Sequence, residues 1–213
     1  MAEYHKFVFD FENRSFVGQF EEMYQQEKVS NFDSWHQEDS RQLNRKIALS
    51  IMENYNFRSI LDVGAGKGAL THCLKKNNNK VVGVDISPTA VEVAKSRFPD
   101  IDFYKVDVNN LFEFETFLRN NSLFQERIDL TFCSECLSYV KNWRGVIELI
   151  SRFSDHLMIS LYIPEDPIGF IKSIKHLEDQ MVNNFEIIES VYLNKEKFII
   201  LFGISKELWD SQK

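Results

Sequence analysis

Residues 60–70 read ILDVGAGKGAL, three glycines within five positions directly behind an apolar run that carries an aspartate. Such a stretch is the pattern of a strand that turns into a helix where backbone comes close to a ligand, because glycine has no Cβ and takes positive φ freely. The chain keeps this rhythm downstream. Short β-branched runs at SILDVG (59–64), KVVGVDI (80–86), DFYKV (102–106), IDLTFCS (128–134) and HLMISLYI (156–163) alternate with helical spacing at about 68–77, 88–97, 111–121 and 143–153. Strands and helices in alternation predict βα units around a mainly parallel sheet. Pro88 suits a first helical turn. Beyond Pro164 and Pro167 an amphipathic helix is expected near 168–181, followed by FEIIESVYL (185–193) and KFIILFGI (197–204). Their link, LNKE, is short enough to force an antiparallel hairpin.

Upstream, residues 11–28 and 41–56 space their apolar side chains three and four apart, and each is expected to form an amphipathic helix. Between them SNFDSWHQEDS (30–40) is a polar connector whose Asp and Ser offer cap chemistry for the second helix. With 213 residues, 44% of them hydrophobic, the chain can bury one sizeable core, and at roughly 100–200 residues per domain a single domain is expected. A net charge of −7 provides no basic field for nucleic acid. No apolar run is long enough for a bilayer, and the first residues lack a signal-type core, so a soluble cytoplasmic protein is expected. Three cysteines (Cys73, Cys133, Cys136) suit reduced thiols, and CSEC has no second Cys/His pair at zinc spacing, so no metal is expected.

Three ligands compete for the glycine turn. A phosphate-binding P-loop needs a glycine where Leu61 stands and a hydroxyl residue where Gly68 follows Lys67, so a nucleoside triphosphate fails on spelling. A dinucleotide survives formally, since Gly64-x-Gly66-x-x-Ala69 fits the fingerprint and Asp85 lies at about the expected distance downstream. Charge decides between the remaining two. Asp62, Asp85 and Asp107 are expected to gather at the carboxyl ends of neighbouring strands, where open α/β sheets bind ligands. That rim repels a pyrophosphate and complements S-adenosylmethionine, which carries a sulfonium and an ammonium against one carboxylate. The N-terminus of the following helix would be available to that carboxylate.

The series ILDVGAGKG, VVGVDISPTAVEVAK, FYKVDVNNL and IDLTFCSECLSYV resembles motifs I to IV of the class I S-adenosylmethionine-dependent methyltransferases. The resemblance covers about residues 57–204 and implies a Rossmann-like, mainly parallel seven-stranded sheet with helices on both faces. It also implies a C-terminal antiparallel hairpin, with residues 1–56 as a helical lid. SECLSYV is also similar to motif IV of nodulation-factor N-methyltransferases and of relatives acting on sugars and surface glycans. By resemblance, Asp62, Gly64, Ala65, Gly66 and Gly68 form the methionine and ribose side of the cofactor site, and Asp85 binds the ribose hydroxyls. Asp107, with Ile86 and Val108, meets the adenine, while Ser134 lies near the sulfonium.

Methyl transfer from a sulfonium is an in-line displacement, so the chain must align an acceptor lone pair and exclude water; a base is needed only when the acceptor must lose a proton. Candidates are His36, beside Trp35 in the connector, and Glu135 and Tyr139 after the fourth core strand, with Tyr162 a further possible contact. His72 is read as structural. The acceptor is expected to be a small polar metabolite, a sugar or a capsule or lipopolysaccharide building block among them, methylated on O or N by a monomer or homodimer. The rivals are an NAD(P)-dependent oxidoreductase and a catalytically silent binding module of the same fold.

Overall fold

The computed structural model describes residues 5–30, 32–37, 39, 41–76, 78–121, 126–195 and 197–211. The N-terminal part holds α1 (His5–Val8), the two-residue strands β1 (Phe9–Asp10) and β2 (Ser15–Phe16), α2 (Phe20–Ser30) and α3 (Leu43–Glu53). From Ser59 the elements are β3 (Ser59–Val63), α4 (Ala69–Leu74), β4 (Lys80–Asp85), α5 (Pro88–Arg97), β5 (Asp102–Lys105), α6 (Leu111–Asn120) and β6 (Ile128–Ser134). The chain continues with α7 (Trp143–Phe153), β7 (Ser154–Tyr162), α8 (Ile174–Asn184), β8 (Phe185–Leu193), β9 (Phe198–Ser205) and α9 (Lys206–Ser211).

Strands β3 to β9 form one seven-stranded sheet in the order β5-β4-β3-β6-β7-β9-β8. The first five are parallel, whereas β9 runs antiparallel between β7 and β8. Period-two alternation divides the apolar side chains between two faces. Leu61, Val63, Val82, Val84, Leu157, Ile159 and Leu201 pack with Phe114 of α6, Trp143 and Ile147 of α7, and Leu177 and Met181 of α8. On the other face Ile60, Val81, Phe103, Phe132 and Met158 pack with Ala48 and Met52 of α3, Leu74 of α4, and Val91 and Ala94 of α5. Both faces being covered explains why these strands read as nearly continuous hydrophobic runs. Because the chain winds outward through β4 and β5 and then returns to the opposite side of β3 as β6, a crevice opens at the carboxyl ends of β3 and β6.

The expected helix over 11–28 is corrected at its first half. Asp10 Oδ1 accepts the backbone N–H groups of Glu12 and Asn13, each at 3.0 Å, which closes a turn instead of a helix. Arg14 (φ 49°) and Gly18 (φ 74°) both leave the helical region, so the helix begins only at Phe20. The second helix starts at Leu43 without a side-chain cap, since Asp39 is engaged by Arg41 rather than by the helix. Likewise the helix expected at 168–181 runs Ile174–Asn184: Phe170 N–H donates to Ser138 O (2.7 Å), tying this segment to the turn after β6, and Ser173 caps the helix through His176 N–H. Among the described residues no helix is long and apolar enough to cross a membrane.

Trp143 is 1% exposed at the centre of the α6–α8 face. Trp143→Ala should cost about 3–5 kcal/mol, which lowers Tm by about 10 °C for a chain of this size, measured by thermal denaturation.

Candidate functional site

The turn after β3 enters the crevice with Gly64 at φ 78°. A Cβ built on Gly64 would lie 2.4 Å from Cys136 Cβ, so the chain there must be glycine for steric as well as conformational reasons. Cys136 reaches this position because β6 ends at Ser134 and Glu135 takes φ 60°, folding the chain back across β3 until Cys136 Sγ donates to Val63 O at 3.0 Å. A continuing strand would have put Cys133 and Cys136 on opposite faces. No group of metal-ligating side chains occurs among the described residues.

The three aspartates meet around one cleft of about 580 Å³. Asp62 is 2% exposed and accepts Thr71 Oγ1–H at 2.6 Å. Burial, together with the Asp85 charge, raises its pKa to about 7 against that bond. Asp85 accepts two backbone N–H groups, Gly66 on Oδ2 (2.8 Å) and Ser87 on Oδ1 (2.9 Å); burial still outweighs these bonds and raises its pKa. Asp107 stands two residues beyond β5, with Oδ1 accepting Asn109 N–H, and Ile86 and Val108 line the cleft beside it.

The glycine turn is only partly a ligand surface. Gly64 and Ala65 line the cleft, but Gly66 does not: Gln37 and Tyr24 cover it, and its N–H is held by Asp85. Gly68 is also outside the lining and packs under Phe103 and Ala94 at the start of α4. The N–H groups of the turn that leads into α4 are engaged within the protein. Gly66 N–H goes to Asp85, Lys67 N–H to Gln37 Oε1 (2.8 Å) and Gly68 N–H to Ala65 O.

At the other end of the cleft lie Ser134, Glu135, Tyr139, Trp35 and His36. Glu135 Oε2 accepts Tyr162 N–H (3.0 Å), whereas Oε1 is buried and has no hydrogen-bond partner among the described residues. Burial raises the Glu135 pKa to about 8, against the Tyr162 bond and the Arg45 charge. Arg45 comes from α3 and lines the same space; its terminal nitrogens donate to the carbonyls of Trp35, His36, Gln37 and Asp39, and its Nε is buried with no partner among the described residues. His36 has left-handed backbone (φ 48°) and an exposed side chain at the cleft rim. Tyr139 is the hub of an aromatic group: Phe9, Phe16, Phe20 and Trp35 all have ring centroids within 6.1 Å of its own. Tyr162 is half-exposed at the rim, and His72 stacks on Phe98 away from the cleft, as a structural residue would.

Sequence reading missed Tyr24, Gln37, Arg45 and the ring pair Phe9 and Phe20, all of which line the cleft. Their signal was hidden because they sit on the N-terminal elements, far in sequence from the glycine turn. Connector residues 31, 38 and 40, Glu38 among them, lie outside the described residues.

A model of the methyltransferase domain matches residues 61–157, from β3 to the middle of β7. This match supports the resemblance of motifs I to IV to the class I S-adenosylmethionine-dependent methyltransferases. The ubiquinone biosynthesis O-methyltransferase of Histophilus somni (strain 2336) is 27% identical over 95 residues, 43% of this chain and 38% of the relative. The chain thus spans about two-fifths of the length of the relatives it matches. Among solved structures, N-methyltransferase NodS from Bradyrhizobium japonicum WM9, in complex with S-adenosyl-L-homocysteine, superposes with a TM-score of 0.66 at 15% identity, covering 87% of this chain and 98% of that one. The N-terminal domain of EvdMO1, in the presence of S-adenosylhomocysteine and D-fucose, gives 0.58 at 17% identity over 79% and 85%. At these identities the likeness is one of fold.

Two measurements follow from this methyltransferase site. Gly64→Ala should lose about 2–3 kcal/mol through strain at positive φ and the clash with Cys136, read as a fall in Tm of about 8 °C. Glu135 has a folded pKa of about 8 against an ordinary 4.5, so the folded state binds the extra proton and stability falls as pH rises through that window. Glu135→Gln removes this loss: its Tm relative to wild type should improve by at least about 3 °C between pH 5 and pH 8.

Proposed function

We propose that the chain transfers a methyl group from S-adenosylmethionine to an oxygen or nitrogen of a small polar acceptor. The observation that carries this reading is the meeting of Asp62, Asp85 and Asp107 around a cleft whose turn N–H groups are already engaged within the protein. A pyrophosphate would find three carboxylates there and a glycine turn whose N–H groups are engaged, which disfavours the nicotinamide reading. A cationic cofactor without phosphate suits the same cleft.

When bound, S-adenosylmethionine supplies a sulfonium methyl open to displacement by a lone pair. Asp85, fixed by two backbone bonds, would hold the ribose hydroxyls. Ile86, Asp107 and Val108 would receive the adenine, and Asp62, Gly64 and Ala65 the methionine part. Gly66 and Gly68 would shape the turn without touching the ligand. Ser134 would stand at the reacting end. Trp35 and Tyr139 would wall off water, Tyr139 by clamping the N-terminal rings.

Glu135 Oε1 is the group we assign to the acceptor proton. In its carboxylate form, which grows as pH approaches 8, Glu135 is a stronger base than an ordinary glutamate. Arg45 Nε offers a donor in the same part of the cleft. One hydroxyl can donate to Glu135 and accept from Arg45, and the guanidinium charge opposes formation of a cationic methylated amine, so the pair favours an oxygen acceptor. His36 at the rim would hydrogen-bond a further polar group. Aromatic walls with polar ends suit a sugar or a surface-glycan building block, and D-fucose accompanies one of the similar folds. We place this activity in a single-domain cytoplasmic enzyme, monomeric or homodimeric.

The test is transfer of labelled methyl from S-adenosylmethionine to matched acceptors, glucose with glucosamine and phenol with aniline. The reading predicts transfer to a hydroxyl member and a loss of at least about 100-fold in Glu135→Gln, the usual scale of a lost base, with S-adenosylhomocysteine affinity within twofold of wild type. Preference for the amines, or full turnover in Glu135→Gln, would contradict the roles given to Glu135 and Arg45.

A further inference from the structure

Lys67, the one charged residue of the glycine turn, does not face the cleft. Its ammonium lies 2.6 Å from Glu27 Oε1 at the end of α2 and 3.1 Å from Asp33 Oδ1 in the connector, with side-chain exposures of 14%, 5% and 26% for Lys67, Glu27 and Asp33. Glu27 also accepts Ser34 N–H on Oε1 and Ser34 Oγ–H on Oε2. The backbone of the same lysine donates to Gln37 Oε1, and Gln37 Nε2 donates to Tyr24 OH. Burial lowers the Lys67 pKa, but the bonds to Glu27 and Asp33 outweigh it and hold the ammonium above the usual lysine range.

An ion pair on a protein surface contributes little, but this one is sheltered and links two parts of the chain forty residues apart in sequence. Removing only the lysine would leave the buried Glu27 carboxylate without this cation. The cleft therefore depends on a charge outside it: the connector that carries Trp35, His36 and Gln37 is tied at its start by Glu27 and Asp33, and across its middle by Gln37.

We propose that Lys67 is a positioning residue whose ion pairs with Glu27 and Asp33 fix the wall formed by residues 32–37 against the cofactor turn. It touches no ligand and acts through Gln37, Tyr24 and Trp35. The proposal rests on the methyltransferase reading only where cofactor affinity is concerned; the wall itself can be followed without ligand.

Hydrogen exchange of the full chain, with and without S-adenosylhomocysteine, tests it in wild type, Lys67→Met, Lys67→Arg and Glu27→Gln. In Lys67→Met, exchange over residues 20–37 should rise at least about tenfold, the scale of roughly 1.4 kcal/mol, while β3, β4, β6 and β7 keep wild-type protection. Affinity for S-adenosylhomocysteine should fall by a similar factor. Lys67→Arg should restore most of both, and Glu27→Gln should reproduce part of the loss, which keeps the test valid if Lys67→Met does not fold. Unchanged exchange over 20–37, or exchange rising equally in the sheet, would overturn the proposal. If wild type bound no S-adenosylhomocysteine, the functional reading would fall, and the exchange pattern would still decide the role of Lys67.

Discussion

The Asp85 carboxylate, accepting the N–H groups of Gly66 and Ser87, is the interaction on which the site depends. It joins the end of β4 to the turn after β3 and to the start of α5, so three elements share one rigid corner. Burying a carboxylate is costly, and two backbone donors offset part of that cost without removing it. The remaining deficit is chemically useful. A buried carboxylate short of partners gains from ligand hydroxyls, and a neighbouring Asp62 with a pKa of about 7 adds negative charge as pH rises.

The N-terminal elements complete the cleft by two separate anchors. Glu21 of α2 accepts Ser87 Oγ–H (2.6 Å), Thr89 Oγ1–H (2.6 Å) and Thr89 N–H (3.2 Å), bonds that lower its pKa despite partial burial and place negative charge at the start of α5. Glu27, six residues later, reaches Lys67. Between the anchors, Phe16 and Phe20 lean on Tyr139, and the Arg14–Asp166 pair (2.7 Å) closes the rim beside them. This wall of the cleft is thus aromatic, its position fixed by polar contacts at the edges.

The sheet was legible in the sequence because β-branched runs buried on both faces have few other solutions. Helices 88–97 and 143–153 fall where their periodicity placed them, one with Pro88 in its first turn. Legibility failed where side-chain-to-backbone bonds overrule periodicity: Asp10 closing its turn over a helix-like pattern, and Ser173 rather than Pro167 setting the start of α8. In the site, the aspartates were readable because strand ends fix their location. Gly66 and Gly68 stand outside the cleft lining, which a spelling cannot show because it does not tell a glycine that lines a cleft from one covered by Gln37 or Phe103. Arg45 was invisible, since its role consists of bonds to carbonyls of a connector whose path no local pattern specifies.

The most direct test of the central claim, that this carboxylate-lined cleft takes an adenosyl sulfonium cofactor and not a dinucleotide, is calorimetric titration of the wild-type chain with S-adenosylhomocysteine and, separately, with NADH. The account predicts saturable one-to-one binding of S-adenosylhomocysteine and no heat of binding from NADH. Saturation by NADH, or by neither ligand, would contradict it.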